Sequence, residues 1–105
     1  MTDKRLVLST AGSEEEARKI AQYLIKNELA DCVNIVPQIE SIYRCQGKIE
    51  SSQEYLLLIK TTSGNFAAVK AAIQQLHSYD LPECISVAIE DGSSDYLEWI
   101  AESVL

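Results

Sequence analysis

The residues with the richest chemistry lie close together. His77 is the only histidine among 105 residues, and Asp80, Glu83 and Cys84 follow it within the stretch HSYDLPEC. Imidazole, carboxylate and thiolate together make a donor set suited to Cu(II) or Zn(II). Cys32, at the start of an apolar run, adds a second soft donor. A metal reading therefore takes His77, Cys32 and Cys84 as ligands of Cu(II) or another divalent metal. The competing reading is structural. A histidine at a helix C-terminus can bond the last carbonyls and face the negative end of the dipole, and a free cysteine often serves as a small buried apolar residue. Catalysis has less support. A cysteine and a histidine can form a nucleophile and base, yet no third residue orients His77 and no oxyanion-hole motif accompanies it. STAGSEEE, where a strand gives way to a helix, looks like an anion nest, but its three glutamates repel phosphate. The chain reads as a non-enzyme.

The totals narrow the partners. A net charge of −7, with nine scattered lysines and arginines, argues against a phosphate-backbone binder. No run approaches a membrane span, the longest candidate being YLLLI. The three cysteines, Cys32, Cys45 and Cys84, are odd in number and lack CxxC spacing, which argues against a disulfide framework and for a reducing compartment. The early apolar run is too short for a signal peptide, so a cytoplasmic location is expected.

The elements that must position these residues follow from periodicity. Residues 4–10, KRLVLST, read as a strand. Ser13 and Glu16 have capping-box spacing, and Glu14 to Glu16 complement the helix dipole. Ala17, Ile20, Ala21, Leu24 and Ile25 form one apolar stripe, and Asn27 is a stop. Residues 32–45 alternate as a long strand that Pro37 must bend or bulge. Gln46-Gly47 supplies a tight turn, and residues 48–61 return as a second long strand whose YLLLI predicts burial on both faces. A helix opens at Ser63-Gly64-Asn65, carries Phe66, Val69, Ile73 and Leu76 inward, and has His77 in its last turn. Pro82 blocks continuation, CISVAI (84–89) is a strand, and Leu97, Ile100, Ala101 and Val104 mark a final helix.

Strand, helix, strand, strand, helix, strand, helix is the order of an α+β, ferredoxin-like split βαβ sandwich with a long β-hairpin and a C-terminal helix, in a single domain over 1–105. Its helices cover one sheet face and leave the other open. Hairpin arms of about 13 residues reach roughly 40 Å, beyond a domain whose radius of gyration is about 13 Å. An obligate oligomer is expected.

ADCVNIVPQIESIYRCQGKIE, with EYLLLIKTT, LHSYDLPE and DYLEWI, resembles the CutA divalent-cation tolerance proteins. The resemblance runs over nearly the whole chain. It implies a tight homotrimer built from the hairpins, a kinship with PII signalling proteins, and a link to tolerance of copper and other divalent metals. It also implies an inter-subunit cleft lined by Tyr43, Lys60, Tyr79 and Glu83, able to hold a small anion, which gives the alternative of a PII-like signalling or small-molecule-binding module. The chain departs from the family pattern in several places. Cys45 replaces a tryptophan, Ser78 and Asp80 replace a proline and a glutamate, and Ala88 stands where a second proline is common. Ser9 and Leu76 stand where some members carry a copper-binding cysteine and a second histidine.

Overall fold

Residues 2–105 are described by a computed structural model. Strand β1 (Lys4–Ala11) ends at Gly12, and Ser13 then caps helix α1 (Glu14–Lys26) by accepting a hydrogen bond from the Glu16 amide. At the other end Asn27 stops the helix, its side-chain amide donating to the Tyr23 carbonyl. Strands β2 (Cys32–Cys45) and β3 (Lys48–Thr62) form the hairpin. Gln46 and Gly47 have φ of 52° and 81°, the doubly left-handed turn whose twist matches the strands it joins. Their register shifts between Val36 and Ile39, where Pro37 cannot donate and Gln38 adopts φ 58°. A 3-10 turn (Ser63–Asn65) leads into α2 (Phe66–Leu76), followed by β4 (Ile85–Ala88) and α3 (Ser94–Ser103).

The sheet is antiparallel throughout, in the order β2-β3-β1-β4. This is the expected split βαβ arrangement. Its two faces differ. On one, Val7 opposes Ile59 and Ser9 opposes Leu57, all fully buried with Ile20, Leu24, Val69 and Ile73. This core holds the helical stripes read from the sequence, except that Ile25 is exposed. On the other face Leu6, Leu8, Leu56 and Leu58 are only half-buried, and Val36, Ile85 and Val87 are exposed beside them. YLLLI is therefore covered on one side by its own chain and not on both. The molecule measures 45 × 25 × 22 Å, elongated by a hairpin whose far half bears exposed Ile42 and Ile49.

Strand β4 is shorter than the sequence pattern predicts, and the reason lies at the end of β1. It pairs only with Arg5 to Leu8. Beyond that, the Ser9 hydroxyl donates to the Glu83 carbonyl and the Thr10 carbonyl is taken by His77. The turn after α2 occupies the edge where a longer strand would have run, and Cys84 falls outside it.

Candidate functional site

His77 lies one residue past α2, not in its last turn, with extended backbone at φ −78° and ψ 144°. Its amide still closes the helix by donating to the Ile73 carbonyl at 2.9 Å. The side chain is fully buried. Nε2 lies 2.6 Å from the Thr10 carbonyl oxygen, and a carbonyl only accepts, so this nitrogen carries the proton. Nδ1 accepts from the Tyr79 amide at 3.1 Å and has Glu16 Oε1 at 3.4 Å. Glu16 Oε2 in turn accepts from the Ser78 amide. One imidazole thus ties together β1, α1 and the turn. Both ring nitrogens are in use, and neither keeps a lone pair for a metal. The helix-terminus alternative is corrected as well, because the ring bonds a strand carbonyl and not those of its own helix.

Two residues on, Tyr79 reaches β3 and donates its hydroxyl to Glu54 Oε2 at 2.8 Å. Burial, then the Glu54 carboxylate beside it, push the phenol up to about 12, so it stays a donor. Gly12 makes room for it. A Cβ at that position would lie 2.8 Å from the phenol oxygen and would force it away from Glu54. Beside this pair opens a cavity of about 630 Å³ lined by Thr10, Ser41, Ile42, Tyr43, Ser52, Glu54, Tyr79, Leu81 and Glu83. Three of the four cleft residues read from the sequence, Tyr43, Tyr79 and Glu83, therefore meet at one wall.

Lys60 does not join them. It shares a strand face with Glu54 but sits six positions along β3, about 20 Å away at 3.3 Å per residue. Its Nζ donates to Asn34 Oδ1, and it stands opposite Cys32 in the hairpin register. Beside it both carboxyl oxygens of Asp31 are buried with no hydrogen-bond partner. Burial raises the Asp31 carboxyl above its ordinary 3.8, against the pull of Lys60. A group whose folded-state value is raised favours the folded protein most while both states hold the proton. That contribution is full below 3.8 and fades as pH climbs from there through the raised folded value. Asp31→Asn is therefore expected to gain on the parent chain as pH rises over this window, with the gain levelling off above it. Thermal melts of both proteins between pH 3 and pH 7 measure this difference. A constant offset between them would contradict it.

The metal-ligand set does not assemble within one chain. Among the described residues no three His, Cys, Asp or Glu side chains cluster as a metal ion requires. Cys84 packs half-buried against the core, and burial, the largest influence on it, pushes its thiol up, away from the thiolate that ligates metals. Cys32 lies at the opposite end of the sheet face from the His77 turn. Sequence reasoning missed Thr10, Glu16 and Glu54 in this network. The SxxE capping signal drew attention to Glu16 only as a helix-start residue.

Comparison with known proteins places these features in context. A family model described as CutA1 divalent ion tolerance protein matches residues 5–103. The divalent-cation tolerance protein CutA of Thermus thermophilus is 46% identical over 100 residues, covering 95% of this chain and 97% of that protein. A CutA homologue of Xenopus laevis is 41% identical over 95 residues, and the match spans 90% of this chain but only 63% of the frog protein. The crystal structure of CutA from Xylella fastidiosa superposes with a TM-score of 0.96 at 40% identity, over 98% of this chain and 99% of that one.

Proposed function

The chain belongs to the CutA1 divalent ion tolerance family, and we propose that it serves divalent-cation tolerance as a non-catalytic homotrimer of a reducing, cytoplasmic compartment. The observation that carries the assembly is the open sheet face. Leu6, Leu8, Leu56 and Leu58, flanked by Val36, Ile85 and Val87, make a continuous apolar surface of the kind that marks an interface. Closed cyclic assembly covers such a face on every copy at once. The three cysteines are all free, which suits a reducing compartment. Among the described residues of one chain no donor set clusters, so a bound ion would take its ligands from more than one subunit, or tolerance is indirect.

Sedimentation equilibrium tests the assembly, with Val87→Lys as the variant. Val87 is 43% exposed in the isolated chain, and an exposed substitution changes stability by about 0.5 kcal/mol or less. The parent chain is expected to sediment with a three-chain mass and Val87→Lys to lose it while keeping its helical circular dichroism. A monomeric parent chain would end the trimer reading. Calorimetric titration of Cu(II) and Zn(II), repeated on Cys32→Ser and Cys84→Ser, separates direct binding from indirect tolerance. Saturable heat lost in either variant would assign it.

The cavity favours a second reading, a small-molecule-binding module. Its volume of about 630 Å³ falls within the range of roughly 300 to 1,000 Å³ usual for ligand sites, and it opens on the same sheet face that assembly would line.

A further inference from the structure

His77 Nδ1 faces two groups that ask opposite things of it. The Tyr79 amide donates to it at 3.1 Å, and Glu16 Oε1 stands 3.4 Å away. An unprotonated nitrogen serves only the amide, since a carboxylate is itself an acceptor. The distance to Glu16 agrees, lying beyond the roughly 2.7–3.2 Å of an N–H···O bond. A proton on Nδ1 reverses the pairing. Two N–H groups cannot bond each other, and an imidazolium beside a carboxylate makes a charge-assisted bond roughly twice as strong as a neutral one. Glu16 is already placed to accept it. Its Oε2 takes the Ser78 amide at 3.1 Å, which keeps Oε1 beside the ring. Of the pair, Glu16 is the one that touches solvent, its side chain 16% exposed against 0% for the imidazole.

We propose that His77 is a proton-driven switch for the turn that follows it: neutral, Nδ1 holds the Tyr79 amide; protonated, it releases that amide and donates to Glu16. The step adds one proton from solvent to Nδ1 and breaks no covalent bond. Both nitrogens being engaged, the ring acts through protons and not through a metal. Nε2 carries its proton in both forms, so the tie to the Thr10 carbonyl persists and only the turn beyond His77 is let go. A buried amide left without a partner is costly, so it turns to water. Its residue is the one that reaches β3. The Tyr79 ring lies 4.5 Å from the imidazole and its hydroxyl bonds Glu54, so both contacts follow the backbone. The groups facing the ring are the Thr10 carbonyl from β1, the Glu16 carboxylate from α1, and the Tyr79 amide and phenol from the turn, with the Glu54 carboxylate of β3 behind that phenol. Among the described residues Glu16 is the ring's one charged partner. The imidazole is sealed by its own chain, so the switch does not depend on what covers the open sheet face.

The test follows the intact protein by NMR from about pH 8 down to about pH 4.5, reading the His77 ring nitrogens and the Tyr79 amide and ring together. Nδ1 is expected to take up one proton, and the Tyr79 amide to shift with the same midpoint. Hydrogen exchange at that amide, relative to an unstructured amide at the same pH, is expected to quicken about tenfold or more as one hydrogen bond is lost. Glu16→Gln keeps an acceptor for the Ser78 amide but removes the charge, and is expected to lower the midpoint of both signals by about one pH unit or more. A Tyr79 amide that stays put while Nδ1 takes its proton would overturn the proposal. So would a Tyr79 midpoint different from that of the ring, which would point to Glu54, or a ring that stays neutral until the chain unfolds. Midpoints unchanged in Glu16→Gln would show that Glu16 is not the receiver and would overturn it as well. Should that variant fail to fold, the shared midpoint in the parent chain decides the matter.

Discussion

Leu57→Asp is expected to abolish the cooperative thermal transition altogether. Leu57 sits in the central strand β3, opposite Ser9 and Ile35, and is fully buried beneath the helices. Truncating a buried leucine costs about 2–5 kcal/mol through lost transfer energy and the cavity left behind. A carboxylate placed there with no partner adds a further penalty of about 3–5 kcal/mol, the scale seen when a buried charge is left uncompensated. Together these rival the roughly 5–15 kcal/mol that hold an ordinary domain folded. Circular dichroism melts and sedimentation should find unfolded or aggregated chain. Leu57 points into the chain's own core, so this variant tests the fold, and Val87→Lys tests the assembly. A soluble Leu57→Asp protein with a sharp transition would mean that β3 does not lie as described.

The second large effect is expected from His77→Ala. Removing the imidazole leaves the Thr10 carbonyl and the Tyr79 amide without partners, and each unsatisfied buried group costs about 1–3 kcal/mol. A loss of about 2–6 kcal/mol follows, before the space left by the ring is counted. For a domain near this size, each kcal/mol lowers Tm by about 4 °C or more. The melting temperature of the variant in the absence of any metal checks this. An unchanged Tm would mean that the ring is not the tie between β1 and the turn. The consequence for ligand studies is direct. Binding lost in His77→Ala reports the collapse of the turn as readily as the loss of a ligand, which is why Cys32→Ser and Cys84→Ser are the better probes.

Most of the architecture was legible because it rests on local signals. The Ser13 cap, most of the stripe along α1, the break at Pro37 and the Gln46-Gly47 turn each declare themselves within a few residues and stand where the spacing puts them, though the Glu16 side chain expected to close a capping box turns instead to Ser78 and His77. The site was less legible because its contacts are remote in sequence. His77 meets Thr10 across 67 residues and Tyr79 meets Glu54 across 25. Register decides such meetings, and no pattern of residue types encodes register at that distance. Lys60 shows the same dependence on distant packing. Within one chain it lies about 20 Å along β3 from Glu54, and a cleft between subunits is set by assembly, not by this register. Asp31 left no signal either, since one acidic residue before a strand looks like any solvated turn until the packing closes over its oxygens.

The bulge at Pro37 and Gln38 has a consequence for the population of molecules. β2 and β4 are the two margins of the sheet. A strand from another copy laid along β2 can follow its hydrogen-bond ladder over residues 32–36 or 39–45, but it falls out of step between them. Along β4 it finds only four residues. Neither margin is the long, flat template on which copies add one after another without limit. Edge-to-edge growth along either margin therefore gains little at each addition. A single proline thereby acts as a brake on fibre formation, and restoring an unbroken ladder at positions 37 and 38 would release it.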